Sequence, residues 1–382
     1  MSADALRVAF LAGTLGTGGA EKQLVYLVKG LQAAGVRVRV YALTEGEANE
    51  AALEAAGVRP EWVGRWSNPI VRVGALARRL RSFRPDIVHS AHFYTNLHVA
   101  AAGRLAGAMS IGTVRSNGVR DLRFHPFWGK ALLAWPDGLI VNSEAALENV
   151  ARFRRHPDQV RFLPNVLDVA EFDRRASENA QGPGVPPVTS GSRAIVVGRL
   201  VKAKRIDRFL RVIALAARTD PGLRGLVVGD GPERAGLEAL AGELGLLPDR
   251  VSFVGERTDV PALLAGADML LLTSDEEGFP NVLLEAMAAR LPVVTTPAGD
   301  AARIVRAGVT GEVVPFASEE AFASHVVDLA RSPSKRAELG GAARLVVEAE
   351  YGSARCAPRA LGTYAALAKS AGRRDIAEML AA

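Results

Sequence analysis

Short apolar runs alternate with longer amphipathic segments along the whole chain. Runs such as residues 8–11 and 269–272 are continuously apolar, which is typical of strands that a parallel sheet buries on both faces. The segments between them, such as residues 21–34, place apolar residues at helical spacing. This alternation predicts a doubly wound arrangement, with helices on both faces of a parallel sheet. The strands predicted in this way are residues 8–11, 36–43, 85–89, 111–114, 138–142, 160–163, 194–197, 225–228, 251–254, 269–272 and 292–295.

A segment rich in glycine, proline and serine divides this pattern in two. Residues 181–192 read QGPGVPPVTSGS, a composition that is typical of a linker because it cannot pack a core. We therefore predict one Rossmann-like domain over residues 1–168, a hinge over 169–192, a second Rossmann-like domain over 193–352, and a helical tail over 353–382. The predicted fold class is α/β, with two doubly wound parallel-sheet domains facing across a cleft. Ligands of such sheets bind at the carboxyl ends of the strands.

Composition places the chain among ordinary globular proteins. Hydrophobic residues make up 49% and charged residues 23% of its 382 residues, which excludes an intrinsically disordered chain. The single cysteine, Cys356, excludes an internal disulfide framework and a cysteine-rich zinc module. No uncharged apolar run reaches the roughly 18 residues of a membrane-spanning helix, and the N-terminus lacks a signal-peptide pattern. We therefore expect a cytoplasmic protein.

Basic residues are concentrated in the first half of the chain. The net charge is +6, and the first 192 residues carry 23 lysines and arginines against 17 acidic residues. This excess predicts an anionic partner, such as a membrane surface, a phosphorylated substrate or nucleic acid. Arg72 to Arg84 is either a basic amphipathic helix at the inner face of the plasma membrane or an ordinary helix whose apolar face lies in the core. No nucleic-acid-binding module is apparent, so we expect no nucleic-acid partner.

The segment DEEGFPNVLLE at residues 275–285 carries the strongest signal for chemistry. It follows the predicted strand 269–272, and the pair Pro280-Asn281 is typical of a helix start. The free N–H groups of a helix start attract anions. Gly278, which has no side chain, lets the main chain approach a ligand closely. The segment therefore predicts an anion site at the carboxyl end of a strand.

Two carboxylates, Glu277 and Glu285, flank this predicted anion site. Because carboxylates repel a phosphate, we interpret them as acceptors for hydroxyl groups on either side of it. A nucleotide sugar has this layout, with sugar hydroxyls, a diphosphate and a ribose diol. Arg199 and Lys204 follow the first predicted strand of the second domain, and arginine and lysine are suited to neutralise a diphosphate.

Segments of both domains resemble retaining family 4 glycosyltransferases of the GT-B fold. In the first domain, the glycine loop GTGGAE at residues 16–21 and the segment PNVLD at 164–168 are similar to the family's glycine loop and hinge entry. The tail, residues 353–382, resembles the family's terminal helix, which crosses back to the first domain. The matching segments of the second domain are GRLVKAK at 198–204, VGDGPER at 228–234, FVGERTD at 253–259 and EEGFPNVLLEA at 276–286.

The resemblance implies a role for each matched position. Glu277 would hold hydroxyls of the transferred sugar, and Glu285 would accept hydrogen bonds from the ribose. Arg199 and Lys204 would hold the diphosphate at the catalytic centre. The other donor-binding positions that the resemblance implies are Gly18, Gly19, Gly255, Arg257, Gly278, Phe279, Pro280, Asn281 and Val282.

The first domain departs from the family's commonest pattern at one position. Many members carry a histidine there, whereas this sequence reads TVRSN at residues 113–117. A guanidinium group does not act as a base, so we expect Arg115 and Asn117 to be polar contacts to the donor or the acceptor. His92 is the candidate catalytic histidine, with a structural histidine as the alternative, and Tyr94 is a candidate acceptor contact.

We therefore interpret the chain as a retaining, metal-independent hexosyltransferase. It would move a hexose or N-acetylhexosamine from a nucleotide diphosphate sugar, with UDP preferred on resemblance alone, to a lipid-linked glycan in cell-surface polysaccharide synthesis. No Asp-x-Asp sequence and no histidine–cysteine cluster with ligand spacing occurs, so we expect no metal and no further cofactor. Three alternatives stay open: a nucleotide-sugar epimerase of the GT-B fold, a transferase with a soluble small-molecule acceptor, and a non-catalytic nucleotide-sugar binder.

Overall fold

The chain folds into two compact units in a computed structural model. Unit 1 comprises Met1–Val166 and Ser353–Ala382, and unit 2 comprises Leu167–Gly352. Within the part of the chain described here, no helix is both long enough and apolar enough to cross a membrane. The structure describes residues 5–65, 68–118, 122, 127–178, 191–316 and 318–381.

The described strands of unit 1 are β1 (Arg7–Ala12), β2 (Arg37–Ala42), β3 (Glu61–Trp62), β4 (Ile87–Ser90), β5 (Met109–Val114), β6 (Gly138–Val141) and β7 (Val160–Phe162). They form one parallel sheet in the order β3-β2-β1-β4-β5-β6-β7. The residues of β4, β5 and β6 are buried throughout, as expected in a sheet covered on both faces. The edge strand β3 has two residues, too short for its pattern to be predicted.

Helices cover both faces of this sheet. The described helices before the crossing to unit 2 are α1 (Gly19–Ala33), α2 (Glu50–Ala55), α3 (Pro69–Phe83), α4 (Asn96–Ala106), α5 (Gly129–Ala134) and α6 (Glu144–Ala151). α1 packs its apolar face into the core on one side of the sheet, and α3 packs into the core on the other side. The strand–helix alternation predicted for this domain is therefore confirmed.

The apolar stripe of α3 corrects one expectation about the basic region from Arg72 to Arg84. Leu76, Leu80 and Phe83 are buried among side chains of the sheet, so the stripe is not available to a membrane. Asn68 caps the helix by accepting a hydrogen bond from the backbone N–H of Ile70 at 2.9 Å. α3 is thus an ordinary covering helix that presents arginines to solvent.

The strands of unit 2 are β8 (Arg193–Val197), β9 (Arg224–Val228), β10 (Val251–Phe253), β11 (Met269–Leu272), β12 (Val293–Thr295) and β13 (Gly311–Val313). They form a second parallel sheet in the order β10-β9-β8-β11-β12-β13. The described helices of this unit are α7 (Val169–Glu178), α8 (Ile206–Thr219), α9 (Arg234–Glu243), α10 (Val260–Ala265), α11 (Asn281–Ala288), α12 (Ala301–Ile304), α13 (Glu319–Arg331) and α14 (Pro333–Tyr351). Two apolar clusters, one on each face of this sheet, form its core.

The predicted hinge is shorter than expected at its start. Residues 169–178 form α7, which belongs to unit 2. Phe172 is buried in the unit 2 core, and Asp173 accepts two hydrogen bonds of 2.7 Å from the guanidinium group of Arg344. The helix was missed because a single buried aromatic side chain anchors an otherwise polar segment. Most of the predicted linker, residues 181–190, lies outside the described residues.

The tail forms two helices, α15 (Cys356–Ser370) and α16 (Arg374–Ala381), that belong to unit 1. Tyr364 and Leu367 of α15 are fully buried and pack in the same core cluster as α1. The chain thus leaves unit 1 after Val166 and returns to it at Ser353.

Two neighbouring glycines of α14 provide a test of how tightly unit 2 is packed. A Cβ atom on Gly340 would lie 1.9 Å from the backbone oxygen of Arg290, whereas a Cβ on Gly341 would have no atom within 4 Å. We expect Gly340→Ala to lower the free energy of unfolding by about 2 kcal/mol, because the helix must move away from the backbone. Gly341→Ala should raise it by about 0.8 kcal/mol through helix propensity. Urea unfolding of the two variants measures the difference, and equal stabilities would contradict the packing described.

Candidate functional site

The carboxyl ends of the central strands of unit 2 meet at one edge of the sheet, where short loops begin. Glycines follow three adjacent strands there: Gly198 after β8, Gly229 after β9 and Gly255 two residues beyond the end of β10. Gly229 has a φ of +132°, and a Cβ on it would lie 2.0 Å from the backbone oxygen of Gly198. Its N–H donates to the oxygen of Gly255 at 2.7 Å. The loops after β8 and β9 therefore pack backbone against backbone at this edge.

Glu277 and Lys204, which the sequence placed at the sugar and the diphosphate, contact each other. The ammonium group of Lys204 donates to Oε1 of Glu277 at 2.6 Å, and the hydroxyl of Ser274 donates to the same oxygen at 2.6 Å. The Glu277 side chain is only 9% exposed. Within the described residues, Oε2 of Glu277 accepts no hydrogen bond. The carboxylate is thus held in one orientation by two donors and keeps one oxygen for a further donor.

A buried arginine that the sequence analysis missed holds the loop before Glu277. Arg208 is 5% exposed, and its guanidinium donates to the backbone oxygen of Thr273 at 2.6 Å and to Oδ1 of Asp275 at 2.8 Å. Arg205 donates to the other carboxylate oxygen of Asp275 at 2.9 Å. Burial acts to raise the pKa of Asp275, but the hydrogen bonds from both arginines outweigh it and hold that pKa below its ordinary value.

One sequence signal for Arg208 exists. It stands four residues before Val212, a fully buried residue of α8, so it occupies the core-facing side of the helix where a charge needs a partner. The partner, the loop at the end of β11, is more than sixty residues away along the chain. Only the fold brings the two together.

The turn before α11 packs closely against the backbone of Gly299. Gly299 has a φ of +56°, and a Cβ there would lie 2.6 Å from the oxygen of Glu277 and 2.4 Å from that of Gly278. The N–H of Asp300 donates to the oxygen of Gly278 at 3.0 Å. The backbone leading into the helix is therefore positioned by backbone contacts. The N–H groups at the start of the helix stay the predicted site for an anion.

The other residues of unit 2 that the sequence analysis assigned to donor binding differ in how far their side chains are buried. Phe279 is 7% exposed and packs edge-on against Tyr351, with ring centroids 5.8 Å apart, so only its backbone is available to a ligand. Pro280 is also buried, whereas Asn281, Val282 and Glu285 are partly buried.

Arg199 and Arg257 differ in their partners. Arg257 donates from Nε and Nη2 to the two oxygens of Asp259 at 2.8 and 2.7 Å. Arg199 is exposed, and its guanidinium forms no hydrogen bond or ion pair with any residue that the structure describes. Arg199 is therefore a cation at the strand ends that remains open to an anionic ligand.

In unit 1, His92 uses both ring nitrogens in contacts with the glycine loop. Its Nδ1 accepts a hydrogen bond from the N–H of Gly13 at 3.0 Å, and its Nε2 lies 3.0 Å from Oε1 of Glu21. Because Nδ1 accepts, the proton of the neutral ring resides on Nε2 and is donated to Glu21. His92 and Glu21 are both buried. This geometry gives His92 the role of positioning the loop and leaves no ring nitrogen for an acceptor hydroxyl.

The glycine loop closes around the Glu21 side chain. Gly18 precedes the first residue of α1, Gly19, and a Cβ on Gly18 would lie 2.3 Å from Oε2 of Glu21. Tyr94 stacks on the ring of His92 at 5.4 Å and fills the space beside Gly13. Burial and the nearby Glu21 and Glu47 carboxylates raise the pKa of Tyr94 to about 12. Its hydroxyl is thus a neutral donor over the whole physiological pH range.

Arg115 and Asn117 follow β5 at the same edge of the unit 1 sheet. Arg115 donates from Nη1 to the side-chain oxygen of Asn165 at 3.0 Å, while its buried Nε has no hydrogen-bond partner among the described residues. Burial lowers the pKa of Arg115 from its ordinary value. The backbone oxygen of Asn117 accepts a hydrogen bond from Asn149 at 2.9 Å. Arg115 therefore brings an incompletely paired buried cation to the edge of unit 1.

Models of two protein families match the chain, one on each unit. The description "Glycosyltransferase Family 4" matches residues 17–171, and "Glycosyl transferases group 1" matches residues 187–346.

Curated relatives match part of their own length. A D-inositol 3-phosphate glycosyltransferase of Saccharomonospora viridis is 30% identical over 291 residues, which are 72% of this chain and 62% of the relative. An N-acetyl-alpha-D-glucosaminyl L-malate synthase of Bacillus anthracis is 31% identical over 42% of this chain and 41% of the relative. The aligned part of the chain thus spans less than two thirds of these relatives.

Solved structures share the fold at low sequence identity. Anabaena HepE, solved in complex with UDP and glucose, has a TM-score of 0.79 and 21% identity over 94% of this chain and 99% of its own. A glycosyltransferase from Rickettsia africae has a TM-score of 0.77 and 17% identity over 96% of this chain and 99% of its own. Both have the two-sheet architecture that the sequence predicted.

His89, the histidine of β4, provides a pH test of the unit 1 core. Its nitrogens lie 2.9 Å from the hydroxyl of Tyr364 and 3.0 Å from that of Thr113, and burial lowers its pKa to about 3. Below pH 6.5 the unfolded chain binds a proton that the folded chain excludes, so stability falls as pH decreases towards 3. The His89 contribution is about 1.4 kcal/mol per pH unit at most.

We expect His89→Gln to flatten this dependence, since an amide keeps polar contacts and does not titrate. Urea unfolding of both proteins at pH 7, 6, 5 and 4 measures the two slopes. If the variant loses stability as steeply as the wild type between pH 6 and pH 4, His89 is not the buried neutral group described.

Proposed function

The chain belongs to the family 4 glycosyltransferases of the GT-B fold, and on that premise we propose that it transfers a sugar from a nucleotide diphosphate sugar to an acceptor hydroxyl. The observation that carries the proposal is the group at the end of β11. There, the buried carboxylate of Glu277 is oriented by Lys204 and Ser274, and the start of α11 and the unpaired Arg199 belong to the same carboxyl edge. The Glu277 carboxylate can accept hydrogen bonds from sugar hydroxyls, and the nearby cations can bind phosphates. These two functions match the sugar and the diphosphate of such a donor.

Lys204 links the two ends of the proposed donor site. An ammonium group has three donors, and in the described structure one of them is directed to Glu277. We propose that Lys204 keeps this bond when a donor binds and directs a second N–H to the diphosphate. The same lysine would then orient both the Glu277 carboxylate, which holds the sugar, and the diphosphate leaving group. This role is consistent with the short ion pair between Lys204 and Glu277.

Arg199 and the backbone at the start of α11 would hold the departing diphosphate. Negative charge grows on this group as the bond to the sugar breaks, and donors that are already oriented stabilise it most in the transition state. Arg205 and Arg208 would act only through the Thr273–Asp275 loop that they hold. We propose that no metal ion is needed, because these cations and N–H groups supply the charge that a metal would supply.

The finer assignments rest on the family resemblance. Glu285 would accept hydrogen bonds from the ribose, and the stretch from Gly255 to Arg257 would line the base pocket, with UDP as the base carrier. Retention of the anomeric configuration, with attack on the face from which the diphosphate leaves, is proposed on the same ground. The sugar would be a hexose or N-acetylhexosamine.

The proposed acceptor binds unit 1 at the edge that carries Arg115, Tyr94 and Asn117. The buried, incompletely paired guanidinium of Arg115 favours an acceptor with a negative charge near the reacting hydroxyl. A lipid-linked glycan carries such a charge in its phosphate linkage. Relatives with soluble acceptors are named for inositol phosphate and malate, so a soluble anionic acceptor is the second candidate.

Contact with a membrane, if the acceptor is lipid-linked, would rest on charge alone. The apolar stripe of α3 is buried, but Arg78 and Arg81 on the same helix are exposed. Extraction of a labelled product into an organic phase distinguishes the lipid-linked acceptor from the soluble one.

Substitution of Glu277 tests the proposed donor site. We expect Glu277→Ala to lower kcat by about 100-fold or more, because it removes the oriented acceptor for the sugar hydroxyls and releases Lys204. Arg78→Ala, which removes an exposed cation of unit 1, should change kcat less than threefold in an assay with a soluble acceptor. Turnover is followed as nucleotide release in buffer containing EDTA, since the proposal requires no metal.

Two outcomes would contradict this account. Equal losses of kcat in Glu277→Ala and Arg78→Ala would show that Glu277 is not part of the donor site. Loss of wild-type turnover in EDTA, restored by a divalent cation, would show that the reaction needs a metal ion. It would not contradict the donor site itself.

A further inference from the structure

A cavity lies in unit 1, separate from every contact assigned above. It has a volume of about 440 Å³ and lies between the end of β7 and the outer face of α15. Residues from the first part of the chain and from the returning tail form its two walls. The residues that matter for its chemistry are Arg161, Phe162, Pro164, Arg359, Gly362 and Thr363.

The helical period of α15 explains why this cavity does not reach into the core. Ala360, Tyr364 and Leu367 face the sheet and are fully buried. Arg359 and Thr363 stand one position before Ala360 and Tyr364, so they lie on the neighbouring, outward part of the helix surface. A molecule can therefore occupy the cavity without displacing the packed side of α15.

The two arginines of the cavity have no acidic partner. Neither Arg161 nor Arg359 forms an ion pair with a residue in the described ranges, and the one described hydrogen bond of the Arg161 side chain is to the backbone oxygen of Val160 at 3.2 Å. The Nη1 atom of Arg359 is buried and has no hydrogen-bond partner among the described residues. By contrast, the two most buried of the described arginines, Arg208 and Arg344, are paired with Asp275 and Asp173.

Arg161 and Arg359 are both partly exposed, so the guanidinium N–H groups that face the cavity are open to an anionic ligand. Two guanidinium groups on facing walls form a site for an anion that can accept several hydrogen bonds, and phosphate fits the planar fork of arginine. Thr363 adds a hydroxyl donor to the same cavity. Phe162 and Pro164 add apolar surface for the body of a ligand.

We propose that this cavity binds an organic phosphate, with the phosphate group between Arg161 and Arg359 and the organic part against Phe162 and Pro164. The proposal does not rest on the transferase activity, because it shares no residue with the proposed donor or acceptor contacts. Phosphate on a small soluble molecule and phosphate in a lipid headgroup present the same chemistry to these two arginines. The source of the phosphate is therefore decided by the experiment.

The sharpest variant fills the cavity instead of removing a charge. A Cβ on Gly362 would have no atom within 4 Å, and leucine is a better helix former than glycine, so Gly362→Leu is expected to fold and to block the space. Gly341→Leu is the matched control, because Gly341 is also helical, also has open space at its Cβ, and lies on α14 of unit 2. Arg161→Gln with Arg359→Gln removes both charges at similar side-chain size.

Isothermal titration calorimetry with sn-glycerol 3-phosphate and with dioctanoyl phosphatidic acid below its micelle concentration tests the proposal on the full chain. We expect saturable binding of at least one probe to the wild type and to Gly341→Leu, weakened at least tenfold in both Gly362→Leu and the double arginine variant. Binding of glycerol 3-phosphate indicates a soluble ligand, and binding of the lipid alone indicates a headgroup.

The proposal is overturned if neither probe binds the wild type. It is also overturned if either the cavity-filling variant or the double arginine variant binds as tightly as the wild type. Circular dichroism of each variant verifies that a loss of binding does not come from unfolding.

Discussion

A parallel sheet that is covered on both faces has no exposed face on which polar chemistry can be placed. In both units the central strands are buried along their length, and the polar groups of the candidate sites lie beyond the points where the strands stop. The carboxyl edge is therefore where side chains from distant parts of the chain meet, as Lys204, Ser274 and Glu277 do in unit 2. The position of the candidate site follows from this constraint, and its chemistry follows from the residues that happen to lie there.

The electrostatics of that edge distinguish groups that hold the site from groups that are open to a ligand. Arg205 and Arg208 are committed to Asp275, and Arg257 to Asp259. Arg199 is exposed and has no partner among the described residues, and Glu277 keeps one carboxylate oxygen unoccupied. The charges that hold the loops are paired with each other, whereas Arg199 and one oxygen of Glu277 are open to a ligand. Such a site needs little rearrangement when a ligand binds.

Continuous apolar runs made the long, buried strands predictable, because such runs have few other uses. β3, with two residues, and β13, which reads GEV, contain no apolar run and were missed. α7 was mistaken for hinge because Phe172 is its one fully buried side chain in an otherwise polar segment. At the candidate site, Glu277, Lys204 and Arg199 were predicted from the segments that follow strands. The pairing of Lys204 with Glu277 was not, since contacts over more than seventy residues appear only in the fold. His92 and its partner Glu21 are a similar case, in which two residues on different elements complete each other's hydrogen bonds.

The most direct test of the central claim, a nucleotide diphosphate site at the carboxyl edge of unit 2, is a thermal unfolding titration with UDP, GDP and ADP. A ligand that binds only the folded chain stabilises it by roughly 2.7 kcal/mol at a hundredfold excess over its Kd. The account predicts a rise in Tm that is largest with UDP and that is reduced in Arg199→Ala. No rise with any of the three nucleotides at millimolar concentration, or an equal rise in Arg199→Ala, would contradict it.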